Sequence, residues 1–212
     1  MHLIVKRIVD FIGALFLILL IFPILIIISI WIMIEDNGSP FFLQERIGKN
    51  FKVFKIIKFR TMITNAEKIG TGVFTNENDS RITKTGKFLR RYSLDELAQI
   101  FNVLKGDMSF IGPRPPVTYF PYPIDNYPEE FKKRFSMKPG ITGLAQISGR
   151  TNLTWQERFV YDIQYIENYN IFKDIKIIFK TILNVLGNKD VFPTEEFQKN
   201  NHKLNNENQQ QN

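Results

Sequence analysis

Asp95 and Glu96 stand side by side in RRYSLDELAQIFNVLKG, residues 90–106, close behind Arg90 and Arg91. An ionised aspartate can attack phosphorus and form an acyl phosphate, as in ATPases that pass through an aspartyl phosphate. Such an attack brings one anion toward another and so needs cations. Mg²⁺, bound through one or two carboxylates and through substrate phosphate oxygens, is the natural candidate. Arginine and lysine can share that work, because a guanidinium fork matches phosphate oxygens bidentately. The available cations are Lys58 and Arg60 in KFRTM, Arg90 and Arg91, Arg114 in IGPRP and Arg150 in SGR; any one of them alone is more often a surface charge. A structural reading competes for the same acids: Ser93 as N-cap and Glu96 as its capping-box partner make an ordinary helix start. The two readings part at Glu96. Capping turns its carboxylate back toward Ser93, whereas a chemical role turns it toward metal or substrate.

Composition narrows the chemistry. The 212 residues carry 28 Lys plus Arg against 21 Asp plus Glu, a formal +7, so anionic partners are expected: phosphorylated metabolites, nucleic acid or an acidic membrane surface. The absence of cysteine removes disulfides, thiolate catalysis and cysteine metal sites. His2 and His202 lie near opposite ends of the chain, which argues against a histidine base or a zinc cluster. No GxxxxGK[ST] loop, GxGxxG or Asp-x-Asp pair is present. Chemistry therefore falls to carboxylates, lysines, arginines or hydroxyls.

The elements that must position these groups begin with an uncharged run of 24 residues, Phe11 to Ile34. At 1.5 Å per residue it is about 36 Å long as a helix, enough to span a bilayer. It is longer than a signal-peptide core and has no small-residue cleavage pattern behind it, so it reads as retained. Pro23 stands in its middle, lacks a backbone donor, crowds the Leu19 carbonyl and restricts Phe22. A break there leaves two arms of about 18 Å, each too short for a core of about 30 Å, and so a re-entrant hairpin. A kinked spanning helix is the alternative. Positive charge on both sides, Lys6 and Arg7 before, Arg46, Lys49, Lys52 and Lys55 after, does not choose between them.

Residues 41–62 mix aromatics and β-branched residues around a Gly-Lys-Asn turn and predict a short basic hairpin. Residues 64–81 read as a loop. A helix is expected over Leu94–Lys105, with Leu94, Leu97, Ile100, Phe101 and Leu104 on one face and Gly106 as its stop. Pro113, Pro115 and Pro116 then forbid regular structure, and 119–128 extends that irregular passage. Helical patterns return at about 155–168 and 172–186. In the second, Ile175, Ile178, Phe179, Ile182 and Leu186 form an apolar face and Lys173, Lys176 and Lys180 a basic one, as in a helix lying at a membrane interface. A soluble core helix with a solvated lysine face is the alternative. Beyond Asn200 the chain is dominated by Asn and Gln and reads as a disordered tail.

SLDELAQIFNVLKGDMSFIGPRP, followed by KPGITGLAQISGR, resembles the bacterial sugar transferases known as monotopic polyprenyl-phosphate phosphoglycosyl transferases, in their small single-domain form. The similarity runs from the N-terminal apolar segment to about residue 186. It implies transfer of a sugar-1-phosphate from a UDP-sugar to polyprenyl (undecaprenyl) phosphate with release of UMP, the first membrane step of glycoconjugate assembly. It implies that Asp95 is the nucleophile of a covalent phosphosugar intermediate, that Glu96 completes an Asp-Glu dyad, and that Mg²⁺ is the cofactor, with Asp95 as a ligand. By position in the matching segments, Arg90, Arg114 and Arg150 are phosphate-contacting residues, with Lys58 and Arg60 nearby. The expected architecture is α+β and membrane-associated: a re-entrant helix broken at Pro23 (residues 1–36), a catalytic domain with a small β-hairpin and amphipathic interfacial helices (37–190), and a polar tail (191–212). Its place is the bacterial inner (cytoplasmic) membrane, with the catalytic domain on the cytoplasmic face and membrane lipids as partners. In the family the break is a Ser-Pro pair; here it is Phe22-Pro23, without the serine hydroxyl that could satisfy a freed carbonyl. The alternative function is a membrane-anchored binding or scaffold protein whose basic face attracts anionic lipids. A nucleic-acid partner is not expected, because the basic residues form no recognisable nucleic-acid module.

Overall fold

The structure, a computed structural model, describes residues 2–66, 79–149 and 152–187, with the backbone alone for His2 and Leu3. Arg150, most of the 64–81 loop and the 191–212 tail lie outside the described residues.

The apolar run and its basic flank form one helix, α1 (His2–Glu35). Pro23 lies inside this helix, so the expected break is not an end of one helix and the start of another. The helix is long and apolar enough to cross a membrane. One stripe is buried along almost its whole length. Ala14, with Leu17 and Ile18, packs against Phe54, Ile56, Ile100, Val103 and Met108. Leu25, Ile28 and Ile32 pack against Phe59, Leu89 and Ala98. Full burial of such a side chain contributes about 1.5–3 kcal/mol. The opposite stripe, with Leu15, Phe16, Leu19, Leu20, Ile26, Ile27 and Ile30, is exposed. A continuous apolar surface of that kind marks a contact with lipid or protein.

Both ends of α1 are tied to the same body. Near its start the Lys6 ammonium pairs with Asp174 at 2.6 Å. At its end the Glu35 carboxylate accepts the backbone N–H groups of Lys84 and Thr85 at 2.7 and 2.8 Å.

The predicted hairpin is present: β1 (Phe41–Ile47) pairs antiparallel with β2 (Val53–Phe59), Phe41 opposite Phe59 and Ile47 opposite Val53. Its turn places Asn50 and Phe51 at φ +54° and +60°. Helix α2 (Lys84–Arg91) was not expected. Thr83 caps it by accepting from Gly86 N, and Gly86 is required because a Cβ there would run into the Thr61 carbonyl.

The predicted 94–105 helix exists in two parts, a 3₁₀ turn (Leu94–Gln99) that runs into α3 (Ile100–Lys105) and stops at Gly106, φ +92°. Its start corrects the expectation. Ser93 is left-handed, φ +55°, and its side chain makes no cap hydrogen bond, whereas an N-cap needs extended backbone to aim its hydroxyl at the first turn.

β3 (Ser109–Ile111) is joined by a parallel partner from across the proline-rich passage. After α4 (Glu129–Lys132), that partner is β4 (Gly140–Thr142), followed by α5 (Leu144–Ser148). α6 (Trp155–Glu167) opens on a full capping box between Thr154 and Glu157. An aromatic cluster of Tyr127, Phe135 and Phe159 with Ile47 packs under the proline-rich passage.

In α7 (Ile171–Leu186), Asp174 and Ile177 face the body. Phe172, Ile175, Phe179, Ile182 and Leu186 are exposed, Phe172 and Leu186 at about three-quarters. A helix of a soluble core turns its apolar face inward. This one turns it outward, and the soluble-core alternative falls.

Candidate active site

The site is built where the end of β2 meets the 3₁₀ turn. The buried Asn102 side chain fixes that meeting: its amide donates to Lys55 O at 2.8 Å and its carbonyl accepts from Ile57 N at 2.9 Å. Lys58, one residue further along β2, is thereby brought to the acidic pair. Glu96 Oε1 accepts from Lys58 Nζ and from Arg114 Nη2, both at 2.8 Å. The carboxylate of Glu96 therefore points at two cations and not at Ser93. Its pKa records the balance. Burial opposes its charge, but Arg114 and then Lys58 outweigh burial and hold the carboxyl well below the usual carboxylate range.

Arg114 is set from behind. Arg134 Nη2 donates to the Arg114 carbonyl at 2.7 Å, and the same buried guanidinium holds Asp162 of α6 at 2.7 Å and lies 4.4 Å from the Phe159 ring centre. Two residues before Arg114, Gly112 lets β3 lie against β4, because a Cβ there would strike the Lys138 carbonyl.

Asp95 is treated differently from its neighbour. Half-buried, it accepts no hydrogen bond and forms no ion pair among the described residues. Burial is the main influence on it and pushes its pKa up. Lys58 pulls the other way, Glu96 adds to the rise, and Arg90 and Arg114 lower it. Arg90 lies in the last turn of α2 and donates from Nε to Thr61 Oγ1 at 2.9 Å. The result is an aspartate without a hydrogen-bonding partner among the described residues and with Lys58, Arg90 and Arg114 around it, an arrangement open to an incoming phosphate and to a metal ion.

The structure thus brings together Asp95, Glu96, Lys58, Arg90 and Arg114. Arg60 goes elsewhere: it donates to the Asp36 carbonyl and to Thr64 Oγ1, and pairs with the Asp36 carboxylate at 3.2 Å. It thereby links the end of α1 to the end of β2. Arg150 lies outside the described residues.

A family model described as bacterial sugar transferase matches residues 1–188. The chain belongs to the bacterial sugar transferase family. It is 47% identical over 196 residues to the galactosyl transferase CpsE of Streptococcus agalactiae, covering 87% of this chain and 43% of that protein. It is 39% identical over 198 residues to the UDP-glucose:undecaprenyl-phosphate glucose-1-phosphate transferase of Klebsiella pneumoniae, covering 90% and 42%. With the "Uncharacterized sugar transferase EpsL" of Bacillus subtilis the identity is 40% over 194 residues, and the match covers 91% of this chain and 92% of that one. The chain spans about two-fifths of the length of the first two relatives and nearly all of the third.

Within this sugar transferase, several residues that build the site went unnoticed in sequence. Asn102 and Arg134 give no local signal, because their partners lie tens of residues away. Arg158 and Asp162 do give one: they are four residues apart in α6 and therefore share a face. The residues also bear on Mg²⁺. No group of three His, Cys, Asp or Glu side chains gathers among the described residues, and Glu96 is committed to two cations. Among the described residues of the site Asp95 remains the uncommitted carboxylate, which suits an ion shared with substrate phosphates better than one caged by protein alone.

Proposed function

We propose that this sugar transferase moves a sugar-1-phosphate from a UDP-sugar to polyprenyl (undecaprenyl) phosphate and releases UMP. The observation that carries this reading is the half-buried Asp95 carboxylate, without a hydrogen-bonding partner among the described residues and surrounded by Lys58, Arg90 and Arg114. The name of the Klebsiella pneumoniae relative supports the donor and acceptor classes.

The reaction runs in two displacements at one phosphorus. An Asp95 carboxylate oxygen attacks the β-phosphorus of the donor. The bond from that phosphorus to the bridging oxygen breaks, and UMP leaves with the bridging oxygen. The sugar phosphate is then held as an acyl phosphate. An oxygen of the lipid phosphate attacks the same phosphorus, forms the lipid diphosphate-sugar and returns the Asp95 carboxylate. Lys58, Arg90 and Arg114 hold phosphate oxygens and offset the charge that accumulates. Glu96 keeps Lys58 and Arg114 aimed at that point. Mg²⁺, held by Asp95 together with substrate phosphates, supplies further charge neutralisation when bound.

The membrane arrangement is part of the proposal. In this reading the helix enters and leaves the bilayer from one side; supporting it, Lys6 and Glu35, near opposite ends of α1, both bind the same body, and Pro23 lies in the middle of the helix as the place where it could bend. The outward apolar residues of α7 lie in the interface beside it. This holds the site at headgroup depth on the cytoplasmic face of the inner membrane, where a water-soluble donor and a lipid-borne phosphate meet.

The test is UMP release by the purified protein in nanodiscs, across a set of UDP-sugars, with Mg²⁺ and undecaprenyl phosphate each present or withheld. Sustained release over many turnovers that needs both supports the reading, with no more than about one UMP per enzyme released when the acceptor is withheld; no release with any donor overturns it. Donor labelled in its sugar and supplied without acceptor should leave label on Asp95. Cysteines introduced at Leu3 and Asn50 test the topology: modification from opposite sides of the membrane rules out re-entry.

A further inference from the structure

Three aromatic rings form a continuous row between α1 and α2. Trp31 of α1 lies against Phe88 of α2, ring centres 5.3 Å apart, and Phe88 lies against Tyr92, 5.0 Å apart. They touch one another yet stay 42%, 43% and 37% exposed, so each keeps surface free for a further contact. Other side chains hold α2 in place: the fully buried Leu89 packs with Leu25, Ile28 and Ile32. Along α1 the row continues through Ile27 and Ile24, four and seven residues before Trp31 and so on its face, both exposed and both on the arm after Pro23. At the other end the exposed Arg91 guanidinium stands 5.9 Å from the Tyr92 ring centre, without a carboxylate partner among the described residues.

The row leads toward the reacting carboxylate. Tyr92 ends α2, and the 3₁₀ turn that carries Asp95 begins two residues later. That turn packs Leu94 and Leu97 into the cluster of Leu25, Ile28 and Ile32, on the same arm of α1 as Trp31. The outward apolar face of α7 belongs to the far end of α1, where Lys6 meets Asp174. A lipid that brings its phosphate to Asp95 therefore leaves its chain on the Trp31 side. The row also has the chemistry of such a lipid in reverse: an apolar track with a cation at its inner end faces a hydrocarbon chain with one anionic end. A belt of interfacial anchors girdles a membrane protein, whereas these rings meet in a single line that ends beside the site.

We propose that Trp31, Phe88 and Tyr92 seat the hydrocarbon chain of the lipid acceptor: the isoprene units nearest its phosphate lie across the three rings, and Arg91 stands at the phosphate end. The proposal rests on the transferase reading above, which supplies the acceptor. Contact with a chain covers apolar ring surface that the fold leaves open, and so favours a polyprenyl phosphate over a shorter lipid.

Crosslinking and kinetics test this separately. A polyprenyl phosphate carrying a diazirine in its first isoprene units is photolysed with the wild-type protein in nanodiscs, and the labelled residues are mapped by mass spectrometry. The expected result is label on Trp31, Phe88 or Tyr92 that excess unmodified polyprenyl phosphate suppresses and an equal amount of phosphatidylglycerol does not. Label confined to other residues overturns the proposal, as does equal suppression by phosphatidylglycerol, which would make the row a general lipid contact. KM for each substrate is then measured with the other saturating. Loss of one ring from the seat should raise KM for the acceptor about tenfold in Phe88→Ala and less in Phe88→Leu, with KM for the UDP-sugar unchanged. An unchanged acceptor KM overturns the proposal, as does a joint rise of both KM values with release of the protein from vesicles, the mark of a mere anchor. Should Phe88→Ala not fold, Tyr92→Ala decides by the same constants. Absent UMP release by wild type counts against the transferase reading, and the crosslinking still judges the seat by itself.

Discussion

Asp174 and Asp95 are both removed from bulk water and placed among cations, and the fold treats them in opposite ways. Asp174 is closed on both sides: Oδ2 takes the Lys6 ammonium at 2.6 Å and Oδ1 takes the Tyr165 hydroxyl, also at 2.6 Å. Burial and then this bond to Asp174 raise the Tyr165 pKa, so the hydroxyl stays a donor. Asp162 is satisfied in a similar way by Arg134. Asp95 makes no such bond among the described residues, while the neighbouring Glu96 absorbs both Lys58 and Arg114. A closed pair can hold elements together and nothing more. An open carboxylate keeps its lone pairs for a ligand, and the fold bears the electrostatic cost of leaving it so.

Removing charge at each place should break this contrast most plainly at Asp95. Asp95→Asn is expected to lower UMP release by a factor of about 10³ or more, while the thermal midpoint holds or rises. The sign follows from its raised pKa. The ionised form is the disfavoured one in the fold, so at neutral pH it costs stability, and that cost fades as pH falls through the folded value. A marked fall in midpoint would show that Asp95 is a structural partner after all. Asp174→Ala should do the reverse. It strands Lys6 and should cost about 3–5 kcal/mol, read by denaturation in detergent, and pairing Lys6→Met with Asp174→Leu should recover most of it.

The same contrast divides two neighbouring cations, Lys58 and Arg60. Lys58→Met is expected to reduce turnover about 10- to 100-fold, whereas Arg60→Met, which loosens only the Asp36 and Thr64 contacts, should stay within about threefold at saturating substrate. The smallest effect belongs to acid. Glu96 has a folded pKa below its ordinary 4.5, so its contribution is complete above 4.5 and is lost as pH falls through the lower folded value. Glu96→Gln should flatten the acid limb of the stability curve by on the order of 1 kcal/mol, measured as midpoint against pH from 6 to 3.

What could be read in sequence was whatever depends on near neighbours. The hairpin, the stop at Gly106, helices α6 and α7, and the pairing of Asp95 with Glu96 all follow from local pattern. What could not be read depends on distance along the chain. Glu96 turns away from Ser93 because Lys58 and Arg114, 38 and 18 residues distant, attract it more than a cap would. β3 and β4 are three residues each and pair only across a long excursion, so neither carries a periodicity. α2 is mostly polar and contains Gly86, whose reason lies in the Thr61 backbone and not in the helix. Arg60 and Lys58 look equivalent in KFRTM, yet they serve different places in the fold. The apolar face of α7 was visible in the sequence; that it points outward required the buried Asp174.

Asn102 has an effect beyond the placing of Lys58. A two-stranded ribbon exposes unpaired backbone along its outer edge, and such an edge invites pairing with another chain. The Asn102 amide meets the Ile57 N–H and the Lys55 carbonyl as a neighbouring strand would. One side chain thus imitates a third strand at that point and seals the ribbon against a stranger, so loss of Asn102 is expected to show first as self-association.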